Sequence, residues 1–200
     1  MSIRIERLVG PALAGAIPAL SRLRLDVFRE WPYLYDGDAE NEAEYLAGFA
    51  ASTNAIIVAA LDQEEIVGAA TAAPLMEHTE EFAPMFAARG YDPQTIFYCG
   101  ESVLLPAYRS RGIGHAFFDC REDHAACLNA AGHIFTLSSF CGVIRDASDP
   151  RSPPGYRPLD DFWERRGYRK VDGLIGHYDW RETGEVEETR KDMQFWMRAL

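Results

Sequence analysis

The chain has 200 residues, the size of one globular domain, and its 48% hydrophobic and 12% aromatic side chains are enough to form a core. Its net charge of −11, with Lys170 and Lys191 as the only lysines, disfavours a nucleic-acid partner, because phosphate neutralisation needs clustered basic residues. No run approaches the ~20 apolar residues of a membrane span, and Glu6, Pro11 and Pro18 interrupt the apolar N-terminal stretch, so we expect a cytoplasmic protein without a signal peptide or membrane contact.

The first part of the chain predicts a strand, two helices and a β-hairpin. Residues 3–8 alternate apolar and charged side chains, as a half-buried strand does. Apolar residues at helical spacing predict a helix over 17–31 and a second, amphipathic helix over 39–51. Two apolar runs, 54–61 and 66–73, are separated by polar turn residues and predict a hairpin.

The second part predicts an insertion, a strand and helix around a glycine turn, and a final group of strands. The acidic, aromatic stretch 76–94 is typical of a short helical insertion. A strand over 95–105 is followed by a helix over 113–130. The later elements are a strand, a polar proline-rich loop, a short helix and two strands, at 133–143, 144–158, 159–166, 168–180 and 186–198. This order, without repeats or linkers, predicts one α/β domain over 1–200 on a mixed sheet.

The four cysteines do not indicate a metal site. Cys99, Cys120, Cys127 and Cys141 have no C-x-x-C spacing, and no second pair of ligands completes the pair formed by His124 and Cys127. We therefore expect reduced thiols and no bound metal.

The turn YRSRGIGHAFF, residues 108–118, places two arginines against two glycines between a predicted strand and helix. A P-loop needs a lysine directly after its last glycine, and a dinucleotide fingerprint needs a third glycine where this chain has Phe117. The remaining pattern is R-x-x-G-x-G, from Arg109 through Gly112 to Gly114. Backbone N–H groups and the dipole at a helix N-terminus bind phosphate oxygens, so the turn is a candidate anion site. One alternative is that the turn only connects the strand to the helix and carries surface arginines. The other is that the turn belongs to a nucleotide-dependent enzyme.

The stretch VLLPAYRSRGIGHAFF, residues 103–118, resembles the central signature of the GNAT superfamily of acyl-CoA-dependent N-acetyltransferases. A second segment, FWERRGY at 162–168, resembles the late helix-to-strand signature of the same superfamily. The resemblance covers about 54–168 and implies a mixed, mostly antiparallel central sheet flanked by helices, with insertions at 76–94 and 144–158. It also implies acetyl-CoA as the cofactor. Its pyrophosphate would contact Arg109, Ser110, Arg111, Gly112, Ile113, Gly114 and His115.

The resemblance further implies how the thioester would be held. In this superfamily the strand before the glycine loop carries a bulge and splays from its neighbour, and its free amides bind the thioester carbonyl; here those amides belong to Val103, Leu104 and Leu105. Glu101, a carboxylate in an otherwise apolar strand, is the candidate general base. An ion pair with an arginine, or an anchor for the substrate ammonium, is the alternative role for Glu101.

The candidate general acid departs from the superfamily pattern. Trp163 occupies the position that often holds a tyrosine facing the leaving thiolate, and its indole has no acidic proton, which leaves it a cofactor contact. Tyr156 in the preceding loop is the candidate substitute, whereas Tyr168 is better explained as a core residue. The departure leaves open a catalytically silent acyl-CoA-binding sensor or regulatory module.

The acceptor is predicted from the aromatic loop WPYLYDGD. Trp31, Tyr33 and Tyr35 would form an aromatic wall, and Asp36 and Asp38 would attract an ammonium group. The alternative is that these rings cap the core. The predicted reaction is transfer of the acetyl group of acetyl-CoA to the primary amine of a small molecule, by direct attack in a ternary complex. The resemblance also implies that a homodimer could form through the outer strands.

Overall fold

The computed structural model describes residues 3–200, apart from the side chains at positions 41, 43 and 44. Seven strands form one sheet in the order β1-β2-β3-β4-β5-β7-β6. Neighbouring strands are antiparallel except β4 and β5, which are parallel, so the expected mixed, mostly antiparallel sheet is confirmed. The strands are β1 (Arg4–Val9), β2 (Ile56–Asp62), β3 (Glu65–Pro74), β4 (Ile96–Leu104), β5 (Leu137–Val143), β6 (Arg169–Trp180) and β7 (Thr189–Ala199).

Helices cover both faces of this sheet. Within β2, Ile57 packs with the first two helices, whereas Ile56 and Val58 pack with the long helix after the glycine turn, because successive strand side chains point to opposite faces. None of the described helices is long and apolar enough to cross a membrane. The helices are α1 (Ala12–Phe28), α2 (Ala39–Ala51), α3 (Leu75–His78), α4 (Ala83–Ala87), α5 (Ile113–Ala130) and α6 (Asp160–Arg165).

Two elements begin four residues or more away from their predicted starts. Helix α1 begins at Ala12 rather than at residue 17, with Pro18 inside it. Proline costs one helical hydrogen bond, but burial of Leu13 and Leu20 on either side of it favours continuing the helix. Strand β5 begins at Leu137 rather than at residue 133, because the side chain of Asn129 binds both backbone groups of Phe135 over 2.7 Å and holds that segment outside the sheet.

Candidate functional site

Strands β4 and β5 pair over a short length and then separate. Their register joins Ile96, Phe97 and Tyr98 to Leu137, Ser138 and Ser139, whereas β4 runs on to Leu104 and β5 to Val143. Residues 99–104 and 140–143 therefore border a gap in the sheet, here named the β4–β5 opening. The splay that the resemblance implied is confirmed.

A bulge in β4 lies at the edge of this opening. Ser102 pairs with Ala70 and Cys99 with Ala72, so Gly100 and Glu101 together oppose Thr71. One extra residue reverses the alternation of side chains in a strand. As a result the Glu101 carboxylate lies on the α1–α2 face, where it meets side chains of both helices.

The bulge is held from the opposite face by Arg121 of α5. Its guanidinium is buried, and Nη1 donates to the carbonyl oxygens of Thr71 and Glu101 over 3.3 and 3.4 Å. The amide of Glu101 donates to Thr71 Oγ1 over 3.2 Å. These bonds satisfy backbone groups that a regular ladder would otherwise pair, which stabilises the irregular part of the strand.

The Glu101 carboxylate is buried in an ion pair. Arg24 Nη1 donates to Glu101 Oε2 over 2.6 Å, and the Tyr45 hydroxyl donates to the same oxygen over 3.4 Å. The other oxygen, Oε1, is buried and has no hydrogen-bond partner in the described part of the chain. Arg24 also binds Glu42, whose side chain is fully buried. One guanidinium thus serves two carboxylates, and this cluster carries a net negative charge.

Burial and neighbouring charges act in opposite directions on the groups of this cluster. Burial of Arg24 disfavours its charge, but its pKa is raised above the ordinary value by the charges of Glu101 and Glu42, so it remains a cation. His78 Nε2 lies 3.3 Å from the Tyr45 hydroxyl, and burial lowers the pKa of His78 below 6.5. His78 is therefore neutral at neutral pH.

The glycine turn forms the N-terminus of α5. Gly112 is the residue before the first turn and has φ +81°, a left-handed conformation that glycine adopts without strain. In residues 3–200 the amides of Arg111, Gly112, Ile113 and Gly114 have no protein acceptor. These unpaired N–H groups lie at the positive end of an 18-residue helix, where the sequence predicted an anion site.

The two arginines of this turn contact protein groups. Arg109 Nε donates to the Leu104 carbonyl over 3.1 Å, and its Nη2 lies 2.9 Å from a carboxylate oxygen of Glu30. Arg111 donates to the Ala107 carbonyl over 2.7 Å. Both guanidinium groups lie at the surface, with Arg109 connecting the turn to the end of α1.

Among the three amides expected to hold the thioester carbonyl, only one faces the β4–β5 opening. The Leu105 amide donates to the Val67 carbonyl over 3.1 Å, on the β3 side. Because N–H groups alternate along an antiparallel strand, Val103 also points to β3 and Leu104 points into the opening. The structure therefore contradicts the predicted role of the Leu105 amide and disfavours that of Val103.

Trp163 lies on the α5 face beneath β5. Its ring packs against Phe140 and Trp196 at centroid distances of 4.9 and 5.1 Å. A Cβ atom at Gly142 would lie 3.1 Å from Trp163 Cη2, so the glycine makes room for the indole. Tyr168 is fully buried and bonds Ser138 over 2.8 Å, as a core residue would.

The aromatic loop after α1 meets the loop after β5. Trp31 and Tyr156 are in edge-to-face contact at 6.0 Å, and Tyr156 is 36% exposed. Tyr33 packs against Phe28 and Trp180 at 4.6 and 6.0 Å. The predicted aromatic residues therefore come together at one end of the sheet, where they also cover core side chains.

The remaining predicted acceptor residues have protein partners. Tyr35 forms an isolated β-bridge with Glu182, and burial, followed by the charge of Glu42, raises the pKa of Tyr35 to about 12. Asp36 lies 3.3 Å from Arg181. Asp38 accepts a hydrogen bond from the amide of Glu40 at the start of α2.

A second buried carboxylate joins three segments near the site. Glu182, just after β6, is 2% exposed. Its oxygens lie 2.7 Å from Arg145 and 2.6 Å from Arg151, both in the loop after β5, and 3.6 Å from Lys191 of β7. Arg145 in turn donates to the carbonyl of Tyr33 over 3.0 Å. These side chains, Glu182 with Arg145, Arg151 and Lys191, are here named the Glu182 cluster.

The sequence analysis missed Arg24 and Glu42, although a signal was present. Each is a charged residue on the apolar stripe of an amphipathic helix, Arg24 beside Leu20 and Leu23, and Glu42 four residues before Leu46. A charge in such a stripe predicts a buried partner. Arg121 had the same signal, because it lies between Phe117 and Ala125 on the buried face of α5. Glu182 had none, because the segment around it is polar throughout.

Similar solved structures have the same architecture. An acetyltransferase of the GNAT family from Staphylococcus aureus Mu50 superposes with a TM-score of 0.60 at 12% identity, covering 100% of this chain and 99% of that one. Arabidopsis thaliana NAA60 in complex with a bisubstrate analogue superposes with a TM-score of 0.60 at 15% identity, covering 100% and 99%. PaiA N-acetyltransferase from Thermoplasma acidophilum in complex with coenzyme A gives 0.56 at 9% identity, covering both chains fully.

Comparison of the sequence alone finds no similar protein. The chain matches no protein-family model and no curated protein sequence. At 9–15% identity the likeness is one of fold. The chain has the fold of the GNAT superfamily.

Proposed function

We propose that the protein is an acyl-CoA-dependent N-acetyltransferase that acetylates the primary amine of a small molecule by direct attack in a ternary complex. One observation carries the proposal. The β4–β5 opening lies between unpaired amides at the start of α5 and a buried carboxylate with a free oxygen. We assign the amides to a phosphate group, the opening to the extended arm of the cofactor and the carboxylate to the ammonium group of the acceptor.

The residues present fit coenzyme A. The amides of Gly112, Ile113 and Gly114 suit pyrophosphate oxygens, and Ser110, Arg111 and His115 border them. The Leu104 amide, which faces the opening, is the donor suited to the thioester carbonyl. Trp163 would flank the cofactor from the α5 face.

Glu101 is the proposed general base and also the group that attracts the acceptor ammonium. Its Oε1 lacks a partner, and the cluster of Glu101, Glu42 and Arg24 carries one net negative charge. An incoming ammonium would supply the missing donor and the missing positive charge. Glu101 would then remove a proton so that the nitrogen becomes nucleophilic.

Acetyl-CoA supplies an acyl group on a thioester with a thiolate as leaving group. Two similar structures support this choice of cofactor, since the PaiA structure contains coenzyme A and a second structure of Arabidopsis thaliana NAA60 contains acetyl-CoA. For the acceptor we favour a small amine. The loops of Tyr33 and Tyr156 close the end of the site, where a protein substrate would need an open groove.

A silent acyl-CoA-binding module is the second candidate. It is favoured by Trp163 in place of an acidic tyrosine and by the ion pair that already engages Glu101. In that case coenzyme A would bind and no acetyl group would be transferred.

Calorimetric titration with acetyl-CoA, coenzyme A, ATP and NAD tests the binding site. We expect acetyl-CoA to bind and Gly112→Asp to abolish binding, because an anionic side chain would occupy the phosphate position. Preference for ATP or NAD would overturn the proposal.

An acetylation assay with small amines and with peptides carrying free N-termini tests the reaction. Transfer to a small amine supports the proposal, and transfer to peptides alone corrects the acceptor class. Binding of acetyl-CoA without transfer to any acceptor would establish the silent module.

A further inference from the structure

The α5 face of the bulge in β4 holds a buried positive charge. Arg121 is 1% exposed, and an arginine keeps its charge in proteins. Among the described side chains no carboxylate pairs with it, whereas Arg24 and Arg166 each pair with two. Burying a charge without a partner is unfavourable. We propose that Arg121 is a positioning residue for acyl transfer. Its charge strengthens, through the peptide group that joins Glu101 to Ser102, the amide that polarises the thioester carbonyl. This inference rests on the proposed function.

Two backbone carbonyls and one ring fix the guanidinium of Arg121. Nη1 donates to the carbonyl oxygen of Thr71 over 3.3 Å and to that of Glu101 over 3.4 Å. The guanidinium carbon lies 4.5 Å from the centre of the Phe118 ring. The Glu101 carbonyl belongs to the same peptide group as the Ser102 amide, and in a trans peptide these two groups point in opposite directions. Arg121 therefore holds one end of a peptide whose other end points away from it.

The Ser102 amide faces the β4–β5 opening. The Glu101 amide donates to Thr71 Oγ1 over 3.2 Å, and the Leu105 amide donates to the Val67 carbonyl over 3.1 Å, both on the β3 side. Because amides alternate along a strand, the amide of Ser102 lies on the other side. The peptide that Arg121 holds thus presents its N–H group to the gap between the strands.

The Ser102 amide is nearer to the proposed base than the Leu104 amide, which faces the same way. The pairing of β4 with β5 ends at Tyr98, so both amides lie beyond the paired part of β4. A strand rises about 3.4 Å per residue, which places Leu104 about 7 Å further along. An amine nitrogen held at Glu101 must reach the acyl carbon. We therefore assign the thioester carbonyl to Ser102 and leave the Leu104 amide for the arm of the cofactor.

A cation at the carbonyl end of a peptide strengthens the hydrogen-bond donor at its other end. Hydrogen bonds in a chain polarise one another, and the effect is greater where the dielectric constant is low. Arg121 therefore makes the Ser102 amide a stronger donor without itself touching the substrate. The strength matters most in the transition state, because negative charge then grows on the thioester oxygen.

The electrons and protons of the reaction balance with this placement. Glu101 takes one proton from the ammonium group, and the nitrogen lone pair then bonds to the acyl carbon. The carbonyl electron pair moves onto the oxygen, where the Ser102 amide stabilises the negative charge. When this pair returns, the carbon–sulfur bond breaks, and the sulfur receives the second proton of the nitrogen. The products are the acetylated amine, coenzyme A as the thiol and protonated Glu101.

Steady-state kinetics of the wild type, Arg121→Gln and Arg121→Lys with acetyl-CoA and an accepted amine test the inference. Glutamine keeps a donor for one carbonyl but removes the charge. We expect kcat of Arg121→Gln to fall about 10-fold, less than after loss of a whole oxyanion donor, because the Ser102 amide remains. The KM of both substrates should change little. Arg121→Lys keeps the charge on a single nitrogen that cannot hold both carbonyls as the planar fork does, so its kcat should lie between the two.

Arg166→Gln is the matched control. Arg166 also contacts the Phe118 ring, but its charge pairs with Asp119 over 2.6 Å and with Glu122 over 2.9 Å. Arg166→Gln should lose stability in urea, because two carboxylates lose their counter-charge, and should keep the wild-type kcat. Arg121→Gln should show the reverse, a lower kcat with a smaller loss of stability, because the charge that it removes has no carboxylate partner.

An infrared measurement separates polarisation from packing. The carbonyl stretching band of bound acetyl-CoA, isotope-labelled at the acetyl carbonyl carbon, moves to lower wavenumber as the hydrogen bond to its oxygen strengthens. We expect the band at higher wavenumber in Arg121→Gln than in the wild type, with Arg121→Lys between them and Arg166→Gln unchanged. If Arg121→Gln does not fold, the shift in Arg121→Lys decides.

A wild-type kcat in Arg121→Gln would overturn the inference. So would a loss of kcat that Arg166→Gln shares, or an unmoved carbonyl band in a folded Arg121 variant that binds acetyl-CoA. Absence of turnover in the wild type, despite binding of acetyl-CoA, would instead refute the proposed function. The infrared comparison would then still decide whether Arg121 polarises the bound thioester.

Discussion

Arg24 and Glu101 are 77 residues apart in sequence and form a buried ion pair of 2.6 Å at the bulge of β4. The pair holds the Glu101 carboxylate by one oxygen and leaves the other free. The same contact that the sequence analysis considered as an alternative to catalysis therefore orients the candidate base, and both roles can be tested.

Glu101→Gln should keep the fold and lower kcat for amine acetylation at least about 100-fold, because the amide cannot accept the ammonium proton. The dissociation constant of acetyl-CoA should stay near the wild-type value, since the Glu101 carboxylate contacts α1 and α2 and not the amides at the start of α5. Glu80→Gln, at an exposed carboxylate of the insertion, is the control. Wild-type turnover by Glu101→Gln would show that the carboxylate serves only the ion pair.

Arg24→Met should lower the free energy of unfolding by about 3–5 kcal/mol, because breaking a buried pair leaves carboxylates without a counter-charge. Both Glu42 and Glu101 would lose their cation. Urea denaturation provides the measurement. Adding Glu42→Gln to Arg24→Met should recover part of the lost free energy of unfolding. A double variant that is no more stable than Arg24→Met would contradict this account.

Gly112→Ala should weaken acetyl-CoA binding, because φ +81° costs an alanine about 1 kcal/mol and the residue would shift the amides that follow it. Gly90→Ala is the matched control, with φ +82° in the insertion and likewise no atom within 4 Å of the added Cβ. Both variants should lose similar stability, whereas only Gly112→Ala should raise the dissociation constant in calorimetry. Equal affinities would separate the glycine turn from the cofactor site.

Stability should rise with pH as the pH approaches 6.5 from below, through His78 and His124. Burial is the main cause that lowers the pKa of each below 6.5, so the unfolded chain binds more protons in this range. The contribution of the neutral histidines to the free energy of unfolding is complete above pH 6.5. It is lost as the pH falls through the lowered pKa that each histidine has in the folded protein. Urea unfolding of His78→Gln/His124→Gln should give a flatter pH dependence than the wild type.

Much of the architecture could be predicted from sequence because strand and helix periods report local burial. The order of elements, the hairpin of β2 and β3 and the glycine turn before α5 were all found in this way. Pro18 misled the prediction of α1, since its local cost is outweighed by packing that the local pattern does not describe.

The site itself was less predictable, because its chemistry depends on pairs between distant segments. Glu101 could be singled out as a charge in an apolar strand, but its partner on α1 could not. The direction of the Leu105 amide was equally hidden, since it depends on the register of β3 against β4.

The Glu182 cluster has a consequence for replacing the loops that it joins. Arg145 and Arg151 come from the loop after β5, Lys191 from β7 and the carbonyl of Tyr33 from the loop after α1, and all depend on one buried carboxylate. Grafting any one of these segments from another protein of this fold would leave a buried charge unmatched in the others. Substitutions in these segments should therefore arise in correlated sets, and a loop exchange that carries both members of a charge pair should fold where a single-loop exchange fails.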